Sequence, residues 1–126
     1  MSSKTVLIVD DEADIREVAR ASLEIVAGWD VLTAASGPEA LAIGSEKRPD
    51  AILLDVMMPG MDGIDTFQKL REDDSTRNIP VLFLTAKVQL SDRRRFAKLE
   101  VAGYIPKPFD PMRLGKTVAD LLGWPG

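Results

Sequence analysis

Three aspartates, a threonine and a lysine are the residues whose types and positions could do chemistry in this chain of 126 residues. Asp55 closes the apolar run Ala51-Ile52-Leu53-Leu54, while Asp10 and Asp11 close the run Thr5 to Val9. Both runs are short and apolar with β-branched members, the pattern of a strand buried on both faces. Thr85 follows a further such run, Pro80 to Leu84, and Lys107 follows Val101 to Ile105. One aspartate at a strand end is by default a turn or cap residue. Carboxylates on neighbouring strand ends, however, repel by about 3 kcal/mol per pair at a separation of about 5 Å and an effective dielectric of about 20. A hard divalent cation with oxygen ligands relieves that repulsion, and a small octahedral ion that keeps waters and bridges to phosphate points to Mg²⁺. Lys107 adds a point charge and Thr85 a hydroxyl donor around one carboxylate oxygen. Phosphoryl transfer onto a carboxylate needs this surrounding, because charge on the equatorial oxygens must be stabilised from several sides. Asp55, the central carboxylate, is the nucleophile for such a step.

Composition narrows the alternatives. The chain has no Cys and no His, which removes thiol chemistry, Cys/His zinc sites and an imidazole base. Sixteen basic against twenty acidic residues give a net charge of −4, which disfavours direct nucleic-acid binding through the domain as a whole. No apolar run reaches the length of a membrane span, and Met1-Ser2-Ser3-Lys4 lacks the hydrophobic segment of a signal peptide. A cytoplasmic protein with no membrane partner is expected.

Positioning these residues requires strands that alternate with helices. Ile15, Val18, Ala19, Ser22 and Val26 recur at helical spacing and predict a helix over 13–27 ended by Gly28. A strand from Trp29 to Ala34 follows. Ser36-Gly37-Pro38-Glu39 has the reciprocal Ser and Glu of a capping box and starts a helix to about Lys47. Pro59 and Gly60 turn the loop after Asp55, and Asp62 caps a helix carrying Ile64, Phe67 and Leu70. A helix is expected over 87–100, capped by Ser91 with Phe96 and Leu99 inward, although Arg93-Arg94-Arg95 leave little apolar stripe. Pro106-Lys107-Pro108 stops the fifth strand, and Asp110 caps a last helix with Pro111 at its first position and Leu114, Val118, Leu121 and Leu122 on one face. Five strands alternating with five helices predict one α/β domain on a parallel sheet. Ligands in such folds bind beyond the carboxyl ends of the strands, where the acidic and polar residues gather.

The chain resembles the receiver domain of bacterial two-component response regulators. The resemblance rests on VLIVDDE at Val6 to Glu12, LLDVMMPGMDG at Leu53 to Gly63, Thr85-Ala86, and GYIPKPF at Gly103 to Phe109, in that order. It implies a flavodoxin-like, doubly wound (βα)5 fold with a five-stranded parallel sheet of order 2-1-3-4-5, and a single receiver domain over residues 1–126 without an output domain. It also implies an Asp55 phosphorylated by a sensor histidine kinase or phosphotransfer protein. By the same resemblance Asp10 and Asp11 hold Mg²⁺ with Asp55 and the backbone carbonyl of Met57, and Thr85 and Lys107 contact the phosphoryl group. Such a domain catalyses its own phosphorylation and dephosphorylation and is not a conventional enzyme. Tyr104 falls at the family's switch aromatic, and Lys107-Pro108 at its usual cis peptide bond. The face made by the 87–100 helix, the fifth strand and the last helix would then present the signal to a downstream protein, from a monomer or a weak phosphorylation-dependent dimer. One departure is Glu100, where such sequences often end the helix with Gly.

Rival chemistries fit less well. A phosphohydrolase of the haloacid dehalogenase type also uses a strand-end Asp and Mg²⁺, but it usually needs a second Asp two residues on, where this chain has Met57. A nucleotide site would want a glycine-rich first turn in place of Asp10-Asp11-Glu12-Ala13. A receiver that acts as a docking module without phosphorylation is the remaining alternative.

Overall fold

The computed structural model describes residues 4–85 and 100–125. Five parallel strands, β1 (Thr5–Val9), β2 (Asp30–Ala34), β3 (Ala51–Asp55), β4 (Val81–Thr85) and β5 (Gly103–Pro106), form one sheet of order β2-β1-β3-β4-β5. The described helices are α1 (Ala13–Ile25), α2 (Gly37–Lys47), α3 (Gly63–Glu72) and α4 (Leu114–Leu122). The helix expected over 87–100 lies outside the described residues apart from Glu100, and so do Ala86, Ser91, Arg93-Arg94-Arg95, Phe96 and Leu99.

The two-residue period of the strands divides the core between two faces. Val6, Ile8, Leu53, Leu82, Leu84 and Ile105 face α1 and α4, meeting Ala19, Leu23, Leu114 and Val118. Leu7, Val9, Ile52, Leu54 and Phe83 face α2 and α3, meeting Ala40, Ile64, Phe67 and Leu70. With both faces covered, the central strands are apolar without interruption, and Ala51 to Asp55 is buried throughout.

Several expected boundaries move for identifiable reasons. α1 stops at Ile25, and its buried stripe is Ala19, Ser22 and Leu23, while Val18 and Val26 are half exposed. The helix is therefore rotated about its axis so that Leu23, absent from the expected stripe, points at the sheet. β2 begins at Asp30 because the Trp29 amide donates to the Leu23 carbonyl at 3.1 Å instead of joining the ladder. β4 begins after Pro80, which has no N–H to donate. In the capping box Ser36 Oγ accepts from the Glu39 amide, but Glu39 Oε2 accepts from Ala35 rather than from Ser36. The last helix begins at Leu114 rather than at Pro111: Asp110 Oδ1 and its carbonyl take the amides of Met112 and Arg113, closing a turn at 111–113 that precedes α4. Leu121, expected inward, is 40% exposed.

Gly63, at the first position of α3, lets that helix approach the end of β3. A Cβ there would stand 2.3 Å from the Asp55 carbonyl oxygen and 2.7 Å from Val56 Cα. The Gly63 amide donates to the Val56 carbonyl at 3.0 Å, so the loop after Asp55 is closed back upon the strand end.

Candidate functional site

Parallel strands deliver Asp10, Asp55 and Thr85 to one rim, at the carboxyl ends of β1, β3 and β4. Asp10 is fully buried, Asp55 and Thr85 are nearly so, and Asp11 is exposed. Carboxylate oxygens of Asp10, Asp11 and Asp55 lie within 4.8 Å of one another. Lys107, in the loop after β5, reaches across this group. Its Nζ donates to Asp10 Oδ2 at 2.9 Å and stands 3.4 Å from Asp55 Oδ1. The Lys107-Pro108 peptide is cis, and the Lys107 amide donates to the Thr85 carbonyl at 2.8 Å.

Each carboxylate is further fixed by the turn that follows it. Asp10 Oδ1 accepts the Glu12 amide at 2.9 Å, and Asp55 Oδ1 accepts the Met57 amide at 3.2 Å. Met57 sits in the β3–α3 loop with its side chain directed to solvent, at 75% exposure. Burial, and then the charge of Asp10, push the Asp55 carboxyl up to about 6, against the opposing pull of Lys107 and the Met57 amide. Burial lowers the Lys107 ammonium, but its hydrogen bond to Asp10 and the charges of Asp55 and Asp10 outweigh this and leave it above its ordinary value. At neutral pH the rim thus holds a negative charge that one lysine only partly offsets.

The donor set suits a hard cation. All candidate ligands are oxygens, and an octahedral Mg²⁺ at about 2.1 Å from each would want them about 3–4 Å apart. The observed spread of up to 4.8 Å is close to that spacing.

Tyr104 does not join this group. Its ring lies 6.2 Å from that of Phe83, its neighbour across the β4–β5 ladder, and the residue is 41% exposed. Phe83 in turn meets Phe67 of α3 edge-on at 5.7 Å. Arg16 stands beside the acidic residues although no motif points to it. Its Nη1 donates to the Asp10 carbonyl at 2.8 Å. The signal was present in the sequence: Arg16 precedes Ala19 by three and Leu23 by seven, so a guanidinium lies on the sheet-facing stripe of α1 and needs an acceptor there.

Comparison with known proteins agrees with this fold. A family model described as the response regulator receiver domain matches residues 6–119. The phosphate regulon transcriptional regulatory protein PhoB of Pseudomonas aeruginosa is 42% identical over 114 residues, which are 90% of this chain and 49% of PhoB. This chain spans about half the length of the first curated relatives it matches. Among solved structures, chemotaxis protein CheY4 of Vibrio cholerae is 34% identical and superposes with a TM-score of 0.88 over 95% of this chain and 99% of that one. The receiver domain of sensor histidine kinase PA1611 from Pseudomonas aeruginosa, solved with a magnesium ion coordinated in its active site cleft, is 28% identical with a TM-score of 0.85 over 97% and 99% of the two chains.

Proposed function

This chain belongs to the response regulator receiver domain family, and from that premise we propose that it is a Mg²⁺-dependent phosphoacceptor whose nucleophile is Asp55. The observation that carries the reading is the Lys107 ammonium shared between Asp10 and Asp55 at the buried rim. The magnesium held by the PA1611 receiver supports it.

In this reading Asp10, Asp11, Asp55 and the backbone carbonyl of Met57 hold Mg²⁺. The bound ion would neutralise carboxylate and phosphoryl charge that Lys107 alone leaves uncompensated. An Asp55 oxygen forms a bond to phosphorus as the P–N bond of a phosphohistidine breaks, and the imidazole leaves as the neutral base after taking a proton. Lys107 moves its ammonium from Asp10 towards the incoming phosphoryl oxygens, and the Thr85 hydroxyl donates to one of them. Residues 1–126 act as one receiver domain in the cytoplasm. The donor is a sensor histidine kinase or a phosphotransfer protein, and the readout passes through Thr85 and Tyr104 to a downstream protein rather than directly to nucleic acid.

Incubation with acetyl phosphate tests this. With Mg²⁺, intact-mass measurement should show one added phosphoryl group, absent with EDTA and absent in Asp55→Asn. Equal uptake by Asp55→Asn, or uptake indifferent to EDTA, overturns the assignment. No uptake by the wild type under any condition would favour the docking-only alternative.

A further inference from the structure

Arg16 is the charged side chain beside the acidic residues that phosphoryl transfer to Asp55 does not itself employ. Asp10 spends each of its polar groups on a different part of the fold. Its amide donates to the Ala34 carbonyl at the end of β2, Oδ1 takes the Glu12 amide, Oδ2 takes Lys107, and its carbonyl takes Arg16. That carbonyl belongs to the peptide unit joining Asp10 to Asp11. Displacement of this unit moves the two Cα atoms from which both carboxylates leave the chain. Asp10 has three other anchors, but among the described residues no hydrogen bond reaches the Asp11 carboxylate, and Asp11 is exposed. The aim of Asp11 therefore depends on its backbone alone, and the side chain that holds that backbone is Arg16. A guanidinium is well matched to this position, since its bond to a carbonyl is charge-assisted and its stem lies along α1 on the stripe that Ala19 and Leu23 bury.

We infer that Arg16 is a positioning residue of the cation site, pinning the Asp10–Asp11 peptide so that both carboxylates converge with Asp55 on a divalent cation. This rests on the proposed reading of the triad as a Mg²⁺ site. It carries a sign that separates it from simple electrostatics. A guanidinium that acted only through its charge would repel a divalent cation, so removing it would tighten binding. A guanidinium that holds the peptide has the opposite effect, and its removal weakens binding.

Titration calorimetry with Mg²⁺ alone, on the full chain at fixed ionic strength, decides between them. Arg16→Gln should weaken Mg²⁺ binding by about tenfold, the scale on which partners of metal ligands act. Arg16→Lys, which can still donate to one carbonyl, should recover most of that loss. Arg16→Met keeps the apolar stem, should match Arg16→Gln, and serves in its place if that variant does not fold. Urea unfolding in EDTA checks that the variants share the wild-type fold. Unchanged or tighter binding in Arg16→Gln or Arg16→Met overturns the inference, as does equal weakening in Arg16→Lys. A wild type that takes up no Mg²⁺ overturns the reading of the triad itself, whereas wild-type uptake with unaltered variants overturns the role of Arg16 alone.

Discussion

Lys107 donates to Asp10 at 2.9 Å and lies farther, at 3.4 Å, from Asp55, the carboxylate it would serve during phosphoryl transfer. A side chain that follows β5 thereby ties the end of β1 to the end of β3, and it occupies with its own charge the space between two carboxylates that a metal ion would use. In the proposed reading, lysine and metal would compete for Asp10. The ammonium offsets the repulsion between the two carboxylates, and on that reading it would be released toward the phosphoryl group once another cation takes over Asp10.

Replacing the lysine therefore should have effects of opposite sign. Lys107→Met should cost the metal-free protein about 2 kcal/mol, because two buried carboxylates lose their counterion. The same change should tighten Mg²⁺ binding several-fold while slowing phosphoryl uptake. Chemical denaturation in EDTA and calorimetric titration read the first two effects, and weaker Mg²⁺ binding in the variant would show that the lysine is not a competitor.

The raised Asp55 carboxyl makes stability depend on pH in a defined window. Its ordinary value is 3.8 and its folded value about 6, so between these the native state binds more protons than the unfolded chain. The stability that Asp55 contributes is complete below pH 3.8 and is lost as pH rises through about 6. Lys107, raised above 10.5, loses its contribution only above that pH and does not enter this window. Asp55→Asn should stabilise the metal-free protein by about 1–2 kcal/mol at pH 7.5, after allowance for water at the rim, and by much less at pH 4.5. Urea unfolding in EDTA at the two pH values measures this; an equal difference at both would mean that the environment of Asp55 is misjudged. Mg²⁺ affinity of the wild type should also fall as pH drops below about 6, since the ion and the proton share one carboxylate.

The strand-end positions of Asp10, Asp55 and Thr85 were legible in the sequence because an unbroken apolar run stops at each, and a parallel sheet aligns the carboxyl ends. The side of a helix that faces the core was less legible. In α1, Val18 and Leu23 are both apolar, and only the packing decides that Leu23 is buried and Val18 half exposed. The start of α4 was misplaced for a similar reason: Asp110 and Pro111 carry the signals of a helix start, and a single turn satisfies them equally well before the helix begins. Arg16 was legible only through its helical spacing to Ala19 and Leu23, because its partner is a backbone carbonyl, which no residue pattern names.

Gly63 offers a test of how tightly the site is built. Gly63→Ala forces a methyl group against the Asp55 carbonyl and should cost about 2–3 kcal/mol while weakening Mg²⁺ binding. Gly60, with φ of +74° and open space around it, is the control: Gly60→Ala should cost about 1 kcal/mol and leave the ion site alone. Similar losses in the two variants would mean that the approach of α3 to β3 has no part in holding Asp55.

The tryptophans report on the opposite end of the sheet. Trp29 precedes β2, and Trp124, after α4, meets it edge-on at 5.3 Å with Lys4 Nζ 4.7 Å from the Trp124 ring centre. Mg²⁺ should leave tryptophan emission nearly unchanged, whereas Trp124→Ala should shift the emission of Trp29 and lower stability by about 1–2 kcal/mol. Strong quenching by Mg²⁺ would place the ion elsewhere than at the rim.

The identity of the nucleophile is open to direct chemical reading. Borohydride reduces an aspartyl phosphate to homoserine, so the protein should be loaded from acetyl phosphate with Mg²⁺, reduced, digested and sequenced by tandem mass spectrometry. Homoserine at position 55, with Asp10 and Asp11 intact, is the predicted result. Homoserine at position 10 or 11, or a phosphoryl group that survives reduction on a serine or threonine, would contradict the assignment of Asp55 as the phosphoacceptor.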